Sequence, residues 1–180
     1  MIKPLIWKEW HEQRWKLAFG CVLLMGYTAI ALQSRLMPDE ILIFFGSVFG
    51  APLMSILVAM GLVAVERADG SLDTFLALPV KSGKILMVKL LTGTVVCVVP
   101  ILGSMIVALL IAGGRELSAL DIAIDYVGST AFCLVMFIWT VSFGIRQTSE
   151  ARVGLISIAI FFGWGLLGIL EDEWIGGLNG

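Results

Sequence analysis

The stretch 41–65 runs for 25 residues without a single charged side chain. A helix on a water-soluble core keeps a polar face, so it has no place for such a run. A bilayer does, because crossing its hydrocarbon takes roughly 20 apolar helical residues, with about 17–25 as the working range. Four further runs approach that length, at 17–33, 90–113, 126–145 and 153–170. With no water to satisfy backbone groups inside the hydrocarbon, each run must close its own hydrogen bonds as a helix. The expected fold class is therefore all-α, a polytopic transmembrane helix bundle forming one domain over 1–180. Composition agrees, since 14% of residues are charged against about a quarter in soluble domains.

Each run carries local marks. The second is long enough to call for tilt, and Pro52 and Pro100 each remove a backbone donor, which predicts kinks in the second and third spans. Gly46 and Gly50 form a Gly-x-x-x-Gly pair, while Gly163, Gly165 and Gly168 thin the fifth span. Small residues let helix backbones approach, chiefly within one bundle, or at a dimer seam. Asp121 and Asp125 set the start of the fourth span, because an ionised Asp is far cheaper in the interface than at the bilayer centre.

Orientation follows from Lys and Arg in the flanks. Segment 1–16 holds Lys3, Lys8, Arg14 and Lys16; loop 66–89 holds Arg67, Lys81, Lys84 and Lys89; loop 146–152 adds Arg146 and Arg152. The alternate loops hold Arg35 and Arg115, and the acidic tail from Glu171 to Glu173 is followed by no cation. Ten positive charges against two place the N-terminus in the cytoplasm, with the tail outside after five crossings. A multi-pass protein of the cell (inner) membrane is the expectation.

Several function classes fall away. A net charge of −2 supplies no basic surface for nucleic acid. Cys21, Cys97 and Cys133 lie inside apolar runs without a Cys-x-x-Cys pair and read as small buried side chains. The eight methionines are scattered and read as packing rather than as metal ligands. His11 has no partner histidine or cysteine nearby. No glycine lies five residues before Gly83-Lys84, so the phosphate loop of an ATPase is absent, and no zinc-protease motif or serine elbow occurs. Neither catalytic nor cofactor-binding nor metal residues are expected. No span has an ionisable residue at its centre, so ion-coupled carriage is disfavoured and the energy must come from another molecule.

Two basic-side segments hold more information. In segment 4–16, Pro4 suits a first helical turn. Ile6, Trp10 and Leu17 share a stripe with Trp7 beside it, while Lys8, Glu9, Glu12 and Lys16 point elsewhere. Three tryptophans, Trp7, Trp10 and Trp15, predict an amphipathic helix lying in the membrane interface. In segment 66–89, Asp69 or Ser71 caps a short helix, with Gly70 allowing the turn. Leu72, Phe75 and Leu76 form its apolar stripe, Pro79 ends it, and a basic turn from Lys81 to Lys84 leads to a further helix near Ile85. An apolar stripe on a polar loop is what grips a soluble partner in a groove.

The order of these features resembles the membrane subunit of a type-2 ATP-binding-cassette (ABC) transporter. The Trp7-Lys8-Glu9 helix, two spans, then Glu66-Arg67-x-x-Gly70-Ser71-Leu72 leading to Leu78-Pro79-Val80 and a basic cluster up to Lys89 carry the likeness over nearly the whole chain. It implies that 4–16 is the interfacial elbow helix and that 66–89 holds the cytoplasmic coupling helix. Glu66, Arg67, Gly70, Leu72, Phe75, Leu76 and Pro79 would then contact a separate ABC ATPase. Where many members carry Ser-Arg after Pro-Val, this chain has Lys81-Ser82. Members of the family usually have six spans and end in the cytoplasm; five spans with an external tail imply a permease lacking its last crossing, or one completed by another chain.

The expected function is a permease subunit of an ABC exporter, working with an ABC ATPase, a second permease subunit (homo- or heterodimer) and membrane lipid. The competing expectation is a non-transporting anchor that recruits a soluble partner through 66–89.

Overall fold

The computed structural model describes residues 2–34, 45–64, 82–112, 118–147, 149 and 151–164. All of its regular elements are helical. Helix α1 (Ile2–Ser34) is 33 residues long, about 50 Å at about 1.5 Å per residue. It exceeds the hydrocarbon by about a dozen residues, and it does so without interruption: the elbow segment 4–16 is not set off from the first span. The second helix spans 45–64. Its middle, α2 (Ala51–Ala59), lies between wider π-helical turns at Phe45–Gly50 and Met60–Ala64. Pro52 sits in the first turn of α2. A proline has no N–H to give to the preceding turn, and a change of pitch there accommodates the loss.

Helix α3 (Ser82–Ala112) continues past Pro100. It begins three residues before the expected start at Ile85 and eight before the expected span. Helix α4 (Ala119–Gly144) is capped by the Ser118 side chain, which accepts from the Leu120 amide at 3.2 Å. Asp121 and Asp125 thus lie in its first two turns, both exposed, where the helix dipole favours negative charge. Helix α5 (Ala151–Trp164) is the last described element. By length and hydropathy, α1, α3 and α4 each contain a stretch able to cross a membrane, at Leu5–Gln33, Gly83–Ile111 and Ala119–Gly144; two shorter apolar stretches lie at Ala51–Leu62 and Ala151–Trp164.

Side-chain contacts fix the relative directions. Glu9 meets Lys89, Ser104 meets Leu24 and Thr28, and the chain separation across these contacts stays at 80, 80 and 76 residues. Helices α1 and α3 are therefore parallel, and the chain must return between them. The second helix makes that return: Gly50 faces Leu24 while Gly61, further along, faces Lys16, nearer the start of α1. Helix α4 runs back along α3, with Tyr126 at Ser104 and Phe137 at Gly93. Helix α5 opposes the second helix in turn, since Gly154 faces Met60 and Phe161 stacks edge-on to Phe49 at 5.7 Å. The five described helices alternate in direction.

The main core lies where α1, the second helix, α3 and α4 converge, around Leu24, Met54, Leu62, Val96, Ile101 and Phe137. A smaller cluster of Ile56, Met136 and Phe161 fixes α5. The Gly46–Gly50 pair serves this packing: a Cβ on Gly46 would stand 2.7 Å from the Tyr27 ring, and one on Gly50 2.8 Å from a Leu24 methyl. Cys97 and Cys133 are buried in the same core and Cys21 is partly so, all three as free thiols. Large apolar side chains such as Val22, Ile30, Leu110, Val127 and Leu155 face outward. In water this would drive aggregation; in lipid it is the ordinary outer surface of a bundle.

Candidate functional site

Among the described residues, the most heavily charged interior lies at the end where α1 and α3 begin. Following the buried stripe of α1 back from Leu24 and Gly20 by steps of three and four brings Lys16, Gln13 and Glu9 onto the same face. Glu9 and Gln13 are each 1% exposed, and Lys89 on α3 is 3% exposed. The Lys89 Nζ donates to Glu9 Oε1 at 2.8 Å and reaches the Leu62 carbonyl at 3.4 Å. One ammonium therefore joins three helices: the first turns of α1, the start of α3 and the π-helical end of the second helix. Lys16 approaches that end from the other side, its Nζ filling the space a Cβ on Gly61 would need. Two lysines at the carbonyl end of a helix complement its dipole.

This junction is polar and incompletely paired. Glu9 Oε2 and Gln13 Oε1 are buried with no hydrogen-bond partner among the described residues. Removing two charges from water costs several kcal/mol per ion, and one good hydrogen bond offsets only part of that. The pair therefore fixes which faces of α1 and α3 meet rather than adding net stability. In the sequence, Glu9 reads as one of the charges pointing away from the apolar stripe of 4–16, and Lys89 as the end of the basic cluster in 66–89. Both are interior instead. The helical stripe running from Glu9 through Gln13 and Lys16 to Gly20 was the signal for this, since it continues the inward face of the first span.

A second polar chain joins the same helices toward their other ends. The Thr28 Oγ1 donates to the Leu24 carbonyl at 2.9 Å. With that proton committed, Ser104 donates to Thr28 across 2.6 Å and Tyr126 donates to Ser104 across 2.9 Å. The result is a hydroxyl chain from α1 through α3 to α4, satisfied at each link. Thr140 on α4 and Ser157 on α5 differ, being fully buried with hydroxyls that have no partner among the described residues.

Of the expected site residues, Trp7, Trp10 and Trp15 are exposed on α1, with Trp7 and Trp15 at 70% and 72%. Glu66, Arg67, Gly70, Leu72, Phe75, Leu76 and Pro79 all lie outside the described residues. The described helix ends that flank them are the Met60–Ala64 turn and Ser82, which the Lys89–Leu62 contact ties together.

The family model for the ABC-2 family transporter protein matches residues 7–174. No curated protein and no solved structure matches the chain. The matched region takes in α1, the second helix, α3, α4 and α5, and with them the Glu9–Lys89 junction. The chain belongs to the ABC-2 transporter family, whose members are membrane components of ABC transporters.

Proposed function

We propose that this chain is the permease subunit of an ABC exporter, crossing the cell membrane five times from a cytoplasmic N-terminus and driven by ATP hydrolysis on a separate subunit. Two such subunits would enclose one path. The alternation of helix directions supports the crossings, and the ten-to-two bias of Lys and Arg supports the orientation. The observation that carries the coupling assignment is the Lys89 ammonium bridging Glu9 of α1 and the Leu62 carbonyl. The segment 66–81 joins two helix ends that this contact holds together, so a pull on Leu72, Phe75 or Leu76 reaches α1 and α3 at once. An ATPase closing on its nucleotide would move the bundle through that junction.

Co-purification of the chain with its ABC ATPase tests this directly. Leu72→Asp combined with Phe75→Asp is expected to abolish the association while the permease still accumulates in the membrane. Retention of the ATPase by that double variant would defeat the coupling assignment.

A further inference from the structure

The outward stripe at the start of α1 has a chemistry of its own. Trp7, His11 and Arg14 succeed one another at steps of four and three, which puts them on one face, and all are exposed. Lys3 precedes them by one turn on the same side. The Arg14 guanidinium lies over the Trp15 ring at 5.6 Å, and the Trp7 and His11 rings are 6.5 Å apart. The acidic residues of this segment do not balance these cations. Glu9 is turned inward onto Lys89, and Glu12 accepts from Lys8 at 3.3 Å. No described carboxylate pairs with Lys3 or Arg14.

The stripe also sits at a defined depth. Counting about 20 residues back from Gln33, the far end of the apolar stretch, reaches Arg14 at the edge of the hydrocarbon. Beyond it on the same side, Ala18, Phe19 and Val22 are exposed and apolar. His11, Arg14 and Trp15 thus lie at headgroup depth and lead into an apolar track that runs along the helix into the bilayer, while Trp7 and Lys3, about 10 and 16 Å further out at about 1.5 Å per residue, flank them on the aqueous side. The outline is that of one phospholipid.

We propose that His11, Arg14 and Trp15 form a binding site for an anionic phospholipid of the adjacent leaflet. The planar guanidinium, held over the Trp15 ring at 5.6 Å, has its N–H groups free for bidentate contact with the lipid phosphate. His11 supplies a second donor one turn away, Lys3 adds attraction for the headgroup's net charge, and the acyl chains follow Ala18, Phe19 and Val22. The burial of Glu9 against Lys89 is what leaves this face positive. The inference uses the membrane-spanning fold alone and does not depend on the ATPase.

The test is native mass spectrometry of the detergent-purified full chain, with phosphatidylglycerol or phosphatidylcholine of identical acyl chains added at equal amounts. The wild type is expected to retain phosphatidylglycerol several-fold more than phosphatidylcholine, with the preference shrinking as salt rises. His11→Gln with Arg14→Gln is expected to bring the two lipids to parity, whereas Arg146→Gln with Arg152→Gln leaves the preference in place. An undiminished preference in the His11/Arg14 variant overturns the site. So does an equal loss in the Arg146/Arg152 variant, which would mean a diffuse response to any basic residue.

Discussion

Glu9 and Lys89 stand 80 positions apart in the chain and meet at 2.8 Å in the interior, each with almost no exposed surface. Their contact brings the first turns of α1 against the residues through which the segment after the second helix enters α3. The Glu9 carboxylate is only half satisfied, so the pair is not a simple source of stability. Its consequence is asymmetry: removing Lys89 strands the buried Glu9 carboxylate, whose Oε2 already has no partner among the described residues.

That asymmetry is measurable. Lys89→Ala, which takes the ammonium away from the buried Glu9 carboxylate, is expected to destabilise the purified protein by about 3–5 kcal/mol, the usual cost of stranding a buried charge. Glu9→Ala is expected to cost less, because Lys89 keeps its contact with the Leu62 carbonyl. Glu9→Met combined with Lys89→Met is expected to recover most of the loss. Thermal unfolding in detergent distinguishes these outcomes. A double variant as unstable as the sum of the singles would mean that the two residues act independently.

The hydroxyl chain predicts a graded response. Ser104→Ala removes the link that both joins Thr28 and receives Tyr126. Tyr126→Phe removes only the terminal donor. Hydrogen bonds between membrane helices contribute about 0.6 kcal/mol on average and at most about 1.7. Ser104→Ala is accordingly expected to cost about 1–2 kcal/mol and Tyr126→Phe less than about 1, read from unfolding in mixed micelles. The reverse order would contradict the assigned donor sequence.

Glycine positions separate close packing from open surface. A Cβ on Gly93 would run into the Phe137 ring and Leu62, while one on Gly128 would meet nothing. Gly93→Ala is expected to destabilise by about 1–3 kcal/mol through overpacking. Gly128→Ala is expected to be neutral or slightly stabilising, because alanine loses less conformational freedom in a helix. Parallel melts of the two variants check the contrast.

Thr140 and Ser157 offer a less intuitive case. Both hydroxyls are buried without a described partner, and an unsatisfied polar group costs about 1–3 kcal/mol. Thr140→Val keeps the side-chain shape and removes the hydroxyl, so it is expected to raise the melting temperature. A fall would show that the hydroxyl is partnered in the folded protein.

How much of this was legible in the sequence depends on what dictates each feature. The bilayer dictates long apolar runs, so α1, α3 and α4 were visible as spans. Their ends were not, because hydropathy marks the hydrocarbon and not the helix: α4 begins at Ala119, well before Tyr126, since Asp121 and Asp125 are good residues for a helix start even though they are poor ones for lipid. The separate elbow at 4–16 became the first turns of one continuous α1 for the same reason, as nothing between Lys16 and Leu17 interrupts a helix. The Glu9–Lys89 pair was hidden because a lone charge near a span end looks solvated until its partner from a distant segment is known. Of the candidate site, the interfacial role of the tryptophans and the coupling role of the 66–79 residues rest on sequence alone.

The most direct measurement places a photo-crosslinking amino acid at Phe75 in the chain expressed with its ABC ATPase. The account predicts a crosslink to the ATPase from position 75 and none from Val135, which faces outward from the middle of α4. An ATPase that co-purifies with the chain yet crosslinks from no position between 72 and 79 would contradict it.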